Sequence, residues 1–271
     1  MEQLTEMLSQ PFVQRALLAG IFSGGLLAIL GIFVALRKMA FFSDGIAHTS
    51  LTGVAIAVLL GQQPLAWAVA VGVVFAALIY LLEKKTDISP DSLIGILFSS
   101  SLALGVVLMH FKRGYQADLL SFLFGNILTI RSGELAVVIP LSIAIGVFLV
   151  SRYRKYILIC LNEELARVAG VRLEAYKFSL YIMLAVASIL AIKMFGIILV
   201  SALLILPVSF GKLFARSARS LLVVSVVFAE VIVLGGVGVS LWLNLPTGAT
   251  IVLTGTAIFA LGMMVARLRG T

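Results

Sequence analysis

Long apolar runs, each closed by a short polar or basic stretch, repeat along all 271 residues. Most are about 17–25 residues long, the length an α-helix needs to cross a ~30 Å hydrocarbon core. The pattern predicts spans at 16–36, 41–60, 65–82, 92–109, 134–150, 176–193, 196–210, 220–241 and 249–266. One further apolar piece, 117–130, is too short to cross and contains the break Gly125–Asn126. It reads as a re-entrant or interfacial helix, tolerable at membrane depth only where other helices surround it. The expected fold is an all-α polytopic membrane protein with about nine transmembrane helices, a single transmembrane domain over 1–271.

The basic residues orient these spans. With the N-terminus outside and the C-terminus inside, 15 of the 20 lysines and arginines face the cytoplasm, Arg37, Lys38, Lys84, Lys85 and Arg152–Lys155 among them. Arg15, Lys112, Arg113, Arg131 and Lys193 remain outside. A full crossing by 117–130 would invert every later loop and expose Arg152, Arg154 and Lys155, against the positive-inside bias. Within the longest internal stretch, 151–175, residues 161–171 read as a short amphipathic helix. Asn162 is its N-cap, Glu163 and Glu164 occupy the first turn, and Gly170 stops it. Its apolar side needs either a partner or the headgroup layer to cover it.

Composition agrees with the pattern and narrows the chemistry. Hydrophobic residues make up 62% and charged residues 12%, about half the ordinary charged fraction of soluble domains, and the mean hydropathy is +1.18. A net charge of +8 would suit nucleic acid, but its clusters lie between apolar runs, which excludes that partner and points to lipid. The single cysteine, Cys160, rules out an internal disulfide. Residues 1–10 carry two glutamates and no basic residue, unlike the start of a cleaved signal peptide, so the first span is expected to be retained. Gly20, Gly24, Gly235, Gly236 and Gly238 mark close helix packing.

Ionisable residues inside spans are costly and point to function. Asp44 and His48 lie four apart, on one helical face. A carboxylate and an imidazole so spaced can bind a divalent transition metal, or can hydrogen-bond each other across a helix break at Phe41–Gly45. By residue count Asp44 falls near the inner end of its span, and reaches the middle only if 37–44 folds back. Glu230 stands about ten residues into the eighth span, ~15 Å along it. It can complete a mixed Asp/His/Glu metal site or bond to a neighbouring serine or carbonyl. His110 and Asp118 fall at the outer mouth, as cation receivers or as solvated loop residues.

Missing motifs discriminate as well. There is no HExxH helix and no GxxxxGK[ST] phosphate loop, since Gly211-Lys212 is followed by Leu213. Any nucleotide chemistry must come from another chain. Two histidines are too few for a metal site with three imidazole ligands.

The run Arg37-Lys38-Met39-Ala40-Phe41-Phe42-Ser43-Asp44-Gly45-Ile46-Ala47-His48-Thr49-Ser50-Leu51-Thr52-Gly53 resembles the signature of the permease subunits of bacterial zinc and manganese ABC importers. Ser43 stands where that family usually has Gly, and Thr52 where Pro is common. Asp91-Ser92-Leu93-Ile94-Gly95, Phe124-Gly125-Asn126-Ile127-Leu128 and the stretch from Phe195-Gly196 to Pro207 match too. Asn244-Leu245-Pro246-Thr247-Gly248 has Asn where Asp is frequent.

The resemblance implies a transport subunit rather than an enzyme, in the bacterial plasma (inner) membrane. It implies a homodimer working by alternating access, with Asp44 and His48 of each copy lining a path for Zn2+ or Mn2+ and no resident cofactor. It implies cytoplasmic ATP-binding subunits that hydrolyse ATP and an extracytoplasmic metal-binding protein. It also identifies Glu164, Ala166 and Gly170 with the family's Glu-x-Ala-x-x-x-Gly pattern, making 161–171 the coupling helix that docks on the ATPase. Glu230 lies outside the shared motifs. Two rivals remain: a stand-alone metal or proton-coupled secondary transporter, and an intramembrane enzyme with Asp44 and His48 as acid and base.

Overall fold

The computed structural model describes residues 10–110 and 130–268, all helices and short connections. In chain order the helices are α1 (Pro11–Leu36), α2 (Phe42–Leu60), α3 (Pro64–Lys85), α4 (Pro90–His110), α5 (Ser132–Ser151), α6 (Tyr153–Leu161), α7 (Glu163–Val168), α8 (Leu173–Phe195), α9 (Ile197–Phe214), α10 (Ala218–Leu243) and α11 (Thr247–Leu268). Among the described residues, nine of these (all but α6 and α7) are long and apolar enough to cross a membrane. They coincide with the nine predicted spans to within a few residues. The re-entrant piece expected at 117–130 lies outside the described residues, Ile130 excepted.

The difference from the expected layout falls in 151–175. Two helices occupy it, not one, because Tyr153, Tyr156 and Ile159 recur on a helical period and are buried, while Arg154 and Lys155 face outward. The short helix beyond them is as expected. Asn162 caps α7 by accepting the Leu165 N–H at 2.9 Å, and Gly170 follows it at φ 73°, a left-handed conformation that only glycine adopts freely.

The described helices divide into two compact units. The first holds α1 up to Ile32, α5 and α9–α11; the second holds α2–α4, α6, α7 and α8 up to Lys193. In the first unit α9, α10 and α11 pack on one another. The Phe210 ring of α9 stacks on Phe228 of α10, centroids 4.1 Å apart. Gly236 seats α10 on α11, since a Cβ there would lie 2.5 Å from Ile251 Cα, and Gly20 of α1 meets Val233 of α10 in the same way at 2.7 Å. Gly238, by contrast, faces open space. Asn244 ends α10 in the left-handed conformation (φ 53°), a position asparagine tolerates and most residues do not.

In the second unit α2 and α4 run side by side in the same direction, with α3 returning between their sequences. The register is nearly constant. The Phe41 N–H donates to Asp91 Oδ1 at 3.4 Å, the His48 and Phe98 rings meet edge to face at 4.9 Å, and Thr52 Oγ1 donates to the Ser101 carbonyl at 2.6 Å. Gly53 lets α3 approach α2, because a Cβ there would fall 2.5 Å from the Trp67 carbonyl oxygen. Tyr181 of α8 packs on Phe42 and Tyr80.

Candidate functional site

The residues before α2 form a tight turn. Lys38 adopts φ 56°, the Met39 N–H returns to the Val34 carbonyl at 2.9 Å, and the Phe42 N–H bonds to the Met39 carbonyl at 3.1 Å. Met39 and Phe42 are fully buried. Helix starts directly after this turn, so Phe41–Gly45 contains no break inside a helix, and the Gly45 N–H already bonds to the Phe41 carbonyl. Asp44 therefore sits in the first turn of α2.

Asp44 and His48 are both half-buried and one helical turn apart, about 5–6 Å between Cβ atoms at this spacing. His48 stands against Phe98, and its buried Nδ1 has no hydrogen-bond partner among the described residues. An imidazole nitrogen left open beside a carboxylate can give its lone pair to a cation or its proton to an arriving acceptor. Asp91, read in the sequence only as a motif match, brings a second carboxylate to the start of α2. Thr52 is explained by its bond to Ser101. A hydroxyl does here what a proline could not.

Glu230 lies on α10 in the first unit. It is half-buried, beside Gly25 of α1, and its buried Oε2 has no hydrogen-bond partner among the described residues. The serine or carbonyl partner considered above is thus not supplied to that atom. Among the described residues no three His, Cys, Asp or Glu side chains form a group able to hold a metal ion. Asp44 and His48 of one chain do not make up such a group by themselves. His110 is exposed at the end of α4, and Asp118 lies outside the described residues.

The second candidate feature is α7. Ala166 is fully buried, packed with Ile159 and Leu173, so α7 is seated on α6 and the start of α8. Its other face is open: Glu164 and Gly170 are exposed, as are Leu161, Leu165 and Val168, at 68%, 58% and 87%. Leu165 and Val168, three apart on α7, share one helical face, and Leu161, the last residue of α6, is exposed just before it.

Charged residues that the sequence left as simple inside charges meet beneath α7. Glu83, at the end of α3, bonds to Arg37 and accepts from Lys177 Nζ at 3.1 Å and from Tyr181 OH at 2.6 Å. Lys177 also reaches Glu163 at 2.8 Å, and Arg37 lies 3.9 Å from Glu163. Only the i, i+4 spacing of Lys177 and Tyr181 is visible in the sequence; their shared partner is 98 residues from Tyr181.

With this geometry in hand, the relatives of the chain are informative. It is 32% identical to the manganese transport system membrane protein MntC of Halalkalibacterium halodurans, over 94% of its own length and 88% of that protein's. It is equally similar, 32%, to the high-affinity zinc uptake system membrane protein ZnuB of Haemophilus influenzae, covering 92% of this chain and 95% of the relative. The solved structure of PsaBC from Streptococcus pneumoniae in complex with Fab superposes with a TM-score of 0.81 at 30% identity, covering 96% of this chain and 94% of that one. The family model for ABC 3 transport matches residues 9–266. Nine candidate spans among the described residues, the Asp44–His48 motif and a match over nearly the whole sequence agree: this chain belongs to the ABC 3 transport family.

Proposed function

We propose that the chain is the permease subunit of an ATP-driven importer of a divalent transition metal, zinc or manganese, in the bacterial inner membrane. The observation that carries this reading is the Asp44–His48 pair, half-buried on one face of a membrane-length helix with an imidazole nitrogen open. The relatives named for manganese and zinc transport support the choice of cargo.

One chain offers two ligands, fewer than the four a zinc ion usually takes. A second copy would bring another Asp44 and His48, which supports a homodimer with the path along the shared axis. Carboxylate and imidazole accept both zinc and manganese. Glu230, with one oxygen unpaired, is a further carboxylate for the passing ion. The chain has no phosphate-binding loop, so separate cytoplasmic subunits hydrolyse ATP and press on α7 through its exposed Leu165 and Val168, Glu164 and Gly170. An extracytoplasmic binding protein delivers the metal, and the two copies alternate access as the ATPases close and reopen.

The test is metal uptake by the complex reconstituted with its ATPase, comparing zinc with manganese. Asp44→Ala and His48→Ala should each abolish uptake while the complex still assembles, and Glu230→Gln should slow it. Wild-type uptake rates in both α2 variants would overturn the path. ATP-independent uptake by the purified chain alone would favour a secondary transporter.

A further inference from the structure

We propose that Glu83 is a positioning residue, the hub of an ion-pair relay that carries movement of α7 to the turn from which α2 and Asp44 begin. The inference rests on the reading that α7 docks on an ATPase. It concerns how that docking reaches the metal path.

Four observations carry it. Glu83 is 12% exposed and uses both carboxylate oxygens: Oε1 for Arg37 and Lys177, Oε2 for Tyr181. The same two cations continue to Glu163 in the first turn of α7. Two cations and two carboxylates thus balance in a setting where Arg37 is 6% and Lys177 11% exposed. Removing one charge from such a group leaves a buried partner uncompensated, which is unfavourable, so the members hold together when any of them moves.

Next, an open cavity of about 230 Å³ lies between these parts, lined by Arg37, Lys38, Glu83, Cys160, Asn162 and Glu163. Close packing is therefore absent along this side of α7, and the charge pairs are what tie its first turn to the ends of α1 and α3. Finally, Arg37 opens the stiff turn described above. Met39 is fully buried there and the amides of Met39 and Phe42 are both bonded within it. A shift of Arg37 is carried into α2 rather than absorbed on the way, and Asp44 stands in the first turn of that helix.

The relay is tested in the reconstituted complex by the amount of metal moved per ATP hydrolysed, measured with zinc and with manganese. Glu83→Gln keeps the shape and removes the charge; Lys177→Met leaves Arg37 on Glu83 but cuts the strongest tie to Glu163. Both should assemble and hydrolyse ATP while metal per ATP falls about tenfold, within the usual strength of coupling between sites. Glu83→Asp should restore most of that ratio. Glu174→Gln, in an exposed pair with Lys84 at the same end of α3, should leave it unchanged.

A relay of no consequence would show the wild-type ratio in assembled Glu83→Gln and Lys177→Met complexes. A purely structural role would lower melting temperature, hydrolysis and uptake together at constant ratio; either result overturns the proposal. Should Glu83→Gln fail to assemble, Lys177→Met decides alone. A wild-type complex that moves no metal takes down the functional reading and the relay with it. A wild-type complex that transports, with variants equally coupled, removes only the relay.

Discussion

Cys160 shows how far its surroundings set the chemistry of a single side chain. It sits on α6 beside the cavity under α7, and burial pushes its thiol up to about 11, with the nearby Arg37 guanidinium only partly offsetting this. The thiolate is the reactive form, so at pH 7 only about one thiol in ten thousand is ionised. Maleimide labelling of the detergent-purified protein should start about a hundredfold below an exposed cysteine and rise about tenfold per pH unit between pH 7 and 9. A neutral-pH rate matching the unfolded chain would contradict this burial. Asp44 and His48 belong to the same scale: their i, i+4 spacing is written in the sequence, whereas the edge contact with Phe98 and the open Nδ1 depend on α4 arriving beside them.

Among the elements, α7 is the most instructive. Six residues are too few to hold a helix in isolation, so its order comes from the Asn162 cap, the buried Ala166 and the ties at Glu163. Asn162→Ala should cost about 1 kcal/mol locally, read as about fivefold faster amide exchange at Leu165, where the cap bond ends. Unchanged exchange there would mean the cap contributes nothing. Glu164→Arg should weaken association with the ATPase, because Glu164 is exposed on the open face, and an intact complex with unchanged coupled hydrolysis would remove that role. The cap, the acidic first turn and the glycine stop of α7 were all legible, being local signals. The α6 helix carries no comparable local signal, because its buried tyrosines sit among arginine and lysine, with no side-chain cap at its start. The nine spans were legible for a plainer reason: their length and apolarity are matched to the bilayer, not to each other.

For the whole molecule, the charge bias makes a topological claim. Arg154 is exposed on α6 and belongs to the face expected inside. Arg154→Cys in a Cys160→Ala background should react with an impermeant maleimide in inverted vesicles and not in intact cells; labelling of intact cells would invert the assigned orientation. The division into two units is of another kind. Among the described residues the chain passes between them at 32/33, 151/152 and 193/194, so each is assembled from distant segments.

What the sequence determined by itself was the membrane class, the spans, their expected sidedness, the α7 cap and the face shared by Asp44 and His48. All of these follow from composition and from periods of a few residues. Only the tertiary structure decided that Glu83 meets Arg37, 46 residues away, that Lys177 bridges Glu83 to Glu163, and that Thr52 bonds to Ser101. It also decided that Glu230 and the Asp44–His48 pair belong to different units. The physical reason is that a buried charge declares its cost in the sequence but not its partner. The partner is set by which helix ends the fold brings together.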